Sequence, residues 1–116
     1  MDHLLLETLR DAQRFGFFGA RPIEEAAEHA LGFVRAIGPL DAEAAIIDLG
    51  SGGGLPGLIV ADAYPDALIT LVDRREKRTD FLRRAVRRLG WDHVEVATTD
   101  VADLARRVGI DPSQTH

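Results

Sequence analysis

The sequence predicts an α/β fold: a parallel sheet of strand order 3-2-1, entered through two leading helices. Three observations predict it. Short apolar runs alternate with segments of helical periodicity, and the links between them are short, which is the pattern of βαβ units. Four glycines in five positions follow the first apolar run directly. The chain has 116 residues, 46% of them hydrophobic, enough for one core around one sheet.

The elements follow in order. Leu5, Leu6, Leu9 and Ala12 recur at helical spacing and predict a short amphipathic helix over 3–14. Phe15-Gly16-Phe17-Phe18-Gly19 breaks it. Pro22 suits the first turn of a second helix, with Glu24 and Glu25 at its positive end. That helix runs to Ile37, with Ala26, Ala27, Ala30, Leu31, Val34 and Ile37 as the buried stripe, and Gly38-Pro39 ends it. Ala45 to Leu49 reads as a buried strand, Leu55 to Ala63 as a helix, and Tyr64-Pro65-Asp66 as a turn. Leu68 to Val72 is the second strand. Arg75 to Leu89 is a crossover helix burying Phe81, Leu82, Ala85, Val86 and Leu89, closed by Gly90. His93 to Ala97 is a third strand, with Trp91 packed beneath the turn before it, and Val101 to Val108 a third crossover helix. The tail from Asp111 to His116 reads as frayed or cut.

Composition excludes several classes. Without cysteine there is no disulfide framework, thiolate metal site or thiol nucleophile, which fits a reducing cytoplasm. No secretory signal is visible, and no stretch approaches the ~20 apolar residues of a membrane span. His3, His29, His93 and His116 lack metal-ligand spacing, so no metal site is expected. The net charge of −5 argues against a general nucleic-acid binder. Its distribution is uneven: Arg74 to Arg88 holds eight Arg or Lys and two acids, a local +6 that leaves −11 on the rest.

The central motif is Asp48-Leu49-Gly50-Ser51-Gly52-Gly53-Gly54-Leu55-Pro56-Gly57. Glycines between a strand and a helix let backbone turn tightly and approach a ligand closely, although they also suit a plain turn. Asp73 ends the second strand, 23 residues after Gly50, where an acid accepts hydrogen bonds from both hydroxyls of a ribose. Asp73 therefore supports an adenosine ligand without choosing between NAD and S-adenosylmethionine; its alternative role is to cap the following helix. Asp48 makes the choice. A carboxylate two residues before the first glycine repels a pyrophosphate and suits a ligand with a cationic amino-acid end.

The run from Ile46 to Gly57 resembles the cofactor loop of the ribosomal RNA guanine-N7 methyltransferase family known as RsmG or GidB, in which Leu-Pro-Gly follows the glycines. Thr70-Leu71-Val72-Asp73, Lys77-Arg78 and Phe81-Leu82-Arg83 continue the match, and Gly90 through Val96 resembles the family's next turn and strand. Upstream, Gly16-Phe17-Phe18-Gly19-Ala20-Arg21 and His29 are similar to its Gly-x-x-Gly-Pro-Arg and Arg-His elements. The similarity covers residues 15–105 and is strongest over 46–89. Five residues in three places depart from the pattern: Asp100-Val101-Ala102 stands for Arg-Ala-Glu, Glu28 for the arginine before the histidine, and Ala20 for the proline.

The resemblance implies the first half of a Rossmann-like methyltransferase fold, truncated after the third strand–helix unit. It divides the chain into an N-terminal helical segment, 1–40, and a partial cofactor-binding domain, 41–116. It implies S-adenosylmethionine as cofactor, held by Asp48, Gly50, Ser51, Gly52, Leu55, Asp73, Val101 and Ala102, and a cytoplasmic enzyme acting on guanine N7 of small-subunit ribosomal RNA. Because N7 is already a nucleophile, no general base is required; alignment and proximity carry catalysis, and no catalytic side chain is assigned. Lys77 and Arg78, in the first turns of the basic helix, are the RNA candidates, and the remaining arginines read as a solvated face. His29 is either a site residue or a helix-packing one. Without a fourth strand, the first strand would be an exposed edge inviting self-association or cover by the leading helices. Two other readings stay open: a catalytically silent or truncated cofactor-binding module, and an NAD-binding domain.

Overall fold

The computed structural model describes residues 3–17, 19, 21–41, 43–49, 55–100, 102, 103 and 106. The order is α1 (His3–Arg14), α2 (Ile23–Ile37), β1 (Ala45–Leu49), α3 (Gly57–Ala63), β2 (Leu68–Asp73), α4 (Glu76–Leu89) and β3 (Val94–Thr98). The three strands are parallel in the order β1-β2-β3, so the expected arrangement is present. Of the expected third crossover helix, Ala102, Asp103 and Arg106 are described and helical; the rest of it and the tail lie outside the described residues.

Pairing of Ile46 with Ile69, Asp48 with Leu71, Ile69 with Val94 and Leu71 with Val96 puts these side chains on one face. That face is the covered one. The start of α3 lies against Leu71, and Thr79 of α4 meets the Thr98 hydroxyl at 2.6 Å. Both crossover helices therefore pack on the same side, as two right-handed βαβ units stepping in one direction require. Ile69 and Leu71 are fully buried there, with Leu58 and Ile59 of α3 and Phe81 and Leu82 of α4. On the opposite face Ile47 and Leu68 are 47% and 48% exposed.

The leading helices join the same core. Leu5, Leu9 and Ala12 of α1 and Ile23, Ala27 and Ala30 of α2 belong to the cluster that contains the sheet residues. Thr8 is buried between Leu5 and Leu9, a polar residue the apolar pattern passes over; its hydroxyl donates to the Leu4 carbonyl at 2.8 Å, which makes burial tolerable. Ile37, expected at the end of the α2 stripe, is 42% exposed. Gly38 turns the chain with φ +71, and the end of α2 is held instead by Tyr64, whose hydroxyl meets the carbonyls of Val34 and Gly38.

Other differences are local. α3 begins at Gly57 rather than Leu55. A residue before proline is disfavoured in helical geometry, and the first helical bond runs from Val60 N–H to the Pro56 carbonyl. Gly90 ends α4 in the left-handed region, with its own N–H and that of Trp91 donating to the last turn. Trp91 packs on the core and meets His93 edge-on at 5.6 Å. The basic face of α4 is not simply solvated: Arg88 pairs with Glu7 and Asp11 of α1 at 3.2 and 2.9 Å, and Arg83 donates to Thr98 on β3 at 3.0 Å. Helical spacing shows which face is charged but not which acids stand opposite it.

Candidate cofactor and substrate site

In a parallel sheet the carboxyl ends of the strands share one edge, where ligands of open α/β sheets bind. Asp48 and Asp73 both stand near that edge, on the helix-covered face. Asp48 pairs with Leu71, two residues before Asp73, so the two Cα atoms lie about 8 Å apart on neighbouring strands.

Asp48 is half-buried, and its carboxylate lies against the first residue of α3. A Cβ at Gly57 would stand 2.6 Å from Leu71 Cδ2 and closer still to Asp48 Oδ2. A side chain at Gly57 would therefore have to displace the ends of both side chains, one of them fully buried, and glycine lets helix and sheet approach closely. Reading the motif as a ligand loop passes over this role, though the glycine after Leu55-Pro56 is its signal.

Asp73 is 8% exposed, and its Oδ1 accepts the Arg75 N–H at 2.8 Å. The capping alternative does not describe it. The residue flanking α4 is Arg75, which makes no side-chain cap bond. Asp73 instead braces the turn between β2 and α4, with its carbonyl accepting the Thr99 N–H at 3.0 Å. Beside it, the Thr79–Thr98 hydroxyl pair ties α4 to β3.

Leu55 is half-buried and packs against the core. With Pro56 it forms one wall of a cleft of about 240 Å³, whose other walls are Gly19, Arg21 and the α2 residues Ala26, His29, Ala30 and Phe33. The cleft thus opens where the chain emerges from the glycine cluster. His29 is exposed rather than packed, edge-on to Phe33 at 6.0 Å. Arg21 reaches Glu25 at 3.3 Å. Ala102 is half-buried, and its N–H donates to Asp100 Oδ1 at 2.7 Å. Gly50, Ser51, Gly52 and Val101 lie outside the described residues.

Of the two RNA candidates, Lys77 is exposed. Arg78 is half-buried, with its guanidinium 5.4 Å from the centre of the Phe17 ring, a cation–π arrangement. The fold thereby joins the Gly16–Gly19 stretch to the basic helix, a contact that sequence spacing does not disclose. Among the described residues no group of three or more His, Asp or Glu is placed to hold a metal ion. No helix among them is long and apolar enough to cross a membrane.

A family model for rRNA small subunit methyltransferase G matches residues 3–112. The chain belongs to that family. Among its relatives, the ribosomal RNA small subunit methyltransferase G of Sphingopyxis alaskensis is 42% identical over 88 residues, covering 76% of this chain and 35% of the relative. That of Nocardioides sp. is 54% identical over 54 residues, 47% of this chain and 22% of the relative. The chain therefore spans well under half the length of the curated relatives it matches.

Solved structures share the fold. Coclaurine N-methyltransferase bound to N-methylheliamine and SAH superposes with a TM-score of 0.59 at 24% identity, covering 73% of this chain and 26% of that one. A mutant of MtNAS in complex with S-adenosylmethionine gives 0.57 at 21% identity over 87% of this chain and 41% of that one. The architecture is thus that of Rossmann-like methyltransferases.

Proposed function

We propose that the chain supplies the cofactor side of a methyltransferase that uses S-adenosylmethionine on guanine N7 of small-subunit ribosomal RNA. The observation that carries this is the pair Asp48 and Asp73. They stand near the carboxyl ends of adjacent parallel strands, on either side of the glycine cluster in sequence, in a chain of this family. In this reading Asp73 accepts the ribose hydroxyls, and Asp48 faces the cationic methionine end. Leu55, with Gly50, Ser51, Gly52, Val101 and Ala102, would complete the contacts. A carboxylate packed where a pyrophosphate would lie disfavours NAD.

The bound cofactor supplies an electrophilic methyl group. The chain's own residues bind, orient and exclude water. The cleft beside Leu55 and Pro56 offers the aromatic edge of Phe33 with Arg21 and His29 around it, a surface suited to a planar base. Guanine N7 carries its own lone pair, so the fold need only align the two groups. In this reading residues 1–40 serve the substrate side, residues 41–116 the cofactor side, and an enzyme acting on ribosomal RNA works in the cytoplasm.

A catalytically silent cofactor module is favoured by one observation: Asp100, where the family has arginine, turns its carboxylate onto the Ala102 N–H. Isothermal titration tests both readings. S-adenosylhomocysteine should bind, NAD should not, and Gly52→Val should remove binding by filling the loop. No binding by the parent chain defeats both readings. Binding without methyl transfer to small-subunit RNA favours the silent module. Self-association through β1 rests on exposed Ala45 and Ile47 and is read by light scattering, where a monomer excludes it.

A further inference from the structure

We propose that Phe15, which shares a crevice with Arg84 on the α1–α4 face, is a stacking platform for one unpaired base of single-stranded RNA. The proposal rests on the reading of the chain as part of an enzyme that acts on RNA. It concerns a surface distinct from the cofactor edge and from the cleft beside Leu55.

The platform is an aromatic ladder running outward from the core. Phe81 of α4 is 6% exposed, Phe17 is half-buried, and Phe15 is 59% exposed. The Phe15 ring centre lies 5.9 Å from Phe81, edge-on, and 5.8 Å from Phe17, which itself meets Phe81 at 5.4 Å. Gly16, at φ +77, makes the turn that brings both flanking rings onto α4. The outermost ring is thus held by two others while most of its own surface faces water. A phenylalanine serving only the core would be buried; one held rigid and exposed has its ordering cost already met before a ligand arrives.

Beside Phe15 a crevice of about 150 Å³ runs between α1 and α4, lined by Thr8, Asp11, Phe81, Arg84, Ala85 and Arg88 as well. Its acids are engaged: Asp11, and Glu7 nearby, pair with Arg88. Its free charge is positive. Arg84 is exposed and makes no ion pair among the described residues, and along the same helix neither Lys77 nor Arg87 has one among them. Arg78 covers Phe17, the next ring of the ladder. An exposed aromatic ring with Arg84 along its crevice and Arg78 on the neighbouring ring matches what an unstacked nucleotide needs: a face for the base and cations for its phosphates. A duplex presents no free base faces, and an acidic protein would engage the cations without needing the ring. Phe17 also begins the stretch that reaches Gly19 and Arg21 in the cleft beside Leu55. The platform is therefore placed to take a nucleotide flanking the target.

The test uses the chain with a short single-stranded oligoribonucleotide carrying a fluorescent purine, read by anisotropy. Phe15→Leu keeps an apolar side chain but removes the ring, and should weaken binding roughly 5- to 100-fold, the range of one lost base stack. Phe15→Tyr should restore it. Arg84→Gln should reduce the salt slope by about 0.7, one phosphate's worth on a single strand, and Arg84→Lys should not. Double-stranded RNA should not sense Phe15→Leu. Equal single-strand affinity for the parent and Phe15→Leu, or no binding by the parent, overturns the proposal. So does an equal loss on both RNAs, which would mark general disruption or phosphate contact alone. Titration with S-adenosylhomocysteine separates this result from the functional reading, because Phe15→Leu leaves the cofactor edge untouched. Retained cofactor binding beside unchanged RNA binding sinks only the platform; absent cofactor binding beside a ring-dependent RNA signal sinks only the methyltransferase reading.

Discussion

Replacing Gly57 by alanine adds one methyl group where α3 meets the sheet, and the structure sets its cost. The added Cβ would lie 2.6 Å from Leu71 Cδ2 and nearer still to Asp48 Oδ2. Leu71 is fully buried on the central strand β2, so its side chain cannot swing out into water. Forcing a methyl into such a contact costs about 2–3 kcal/mol. The better helix propensity of alanine returns at most about 1 kcal/mol. The net loss of about 1–2 kcal/mol should lower Tm by roughly 4–10 °C for a chain of this size. The carboxylate of Asp48 must also swing away, so affinity for S-adenosylhomocysteine should fall by about tenfold, the equivalent of one charge-assisted hydrogen bond. Differential scanning calorimetry and isothermal titration measure the two effects. Gly32 supplies the control. It lies within α2, and a Cβ there meets nothing within 4 Å, so Gly32→Ala should raise Tm instead. A Gly57→Ala variant that melts and binds like the parent would refute the close approach of α3 to Asp48 and Leu71.

Asp73→Ala removes the acceptor for the Arg75 N–H as well as the proposed ribose contact. It should cost about 1 kcal/mol of stability and about 1–3 kcal/mol of cofactor affinity; a change in melting alone would leave Asp73 a turn-bracing residue. Removing both charges with Lys77→Gln and Arg78→Gln should weaken RNA binding and lower its salt slope by about two units at most, and an unchanged slope would take both residues off the phosphate path. Glu24 is held below its ordinary value near 4.5 by a backbone hydrogen bond and then by Arg10. Because the folded form holds the proton less tightly, this contribution is complete above the unfolded value and fades as pH falls through the folded one. NMR titration should place Glu24 below 4.5 and show Arg10→Gln moving it upward.

Periodicity in the sequence determines the elements of this fold, because burial on one face leaves a local trace. The apolar spacing of Leu5, Leu9 and Ala12, the alternation of strand and helix, and the glycine that closes α4 all appear with little shift in boundary. The glycine cluster and the acids Asp48 and Asp73 mark the cofactor edge for the same reason: close backbone approach and a strand-end carboxylate are both local requirements. What α1 does to α4 is not local. Glu7 and Asp11 meet Arg88 across more than seventy residues of chain, and a helix that reads as solvated becomes partly an interface. Phe15 and Phe17 read as a break between helices; only when α1 and α4 are packed do they become an aromatic ladder on Phe81 with Arg78 across it. Gly57 reads as part of a ligand loop, and the fold presses it against Asp48 and Leu71. Spacing along a chain records which face a residue occupies, whereas the neighbour it meets there depends on how separate elements come together.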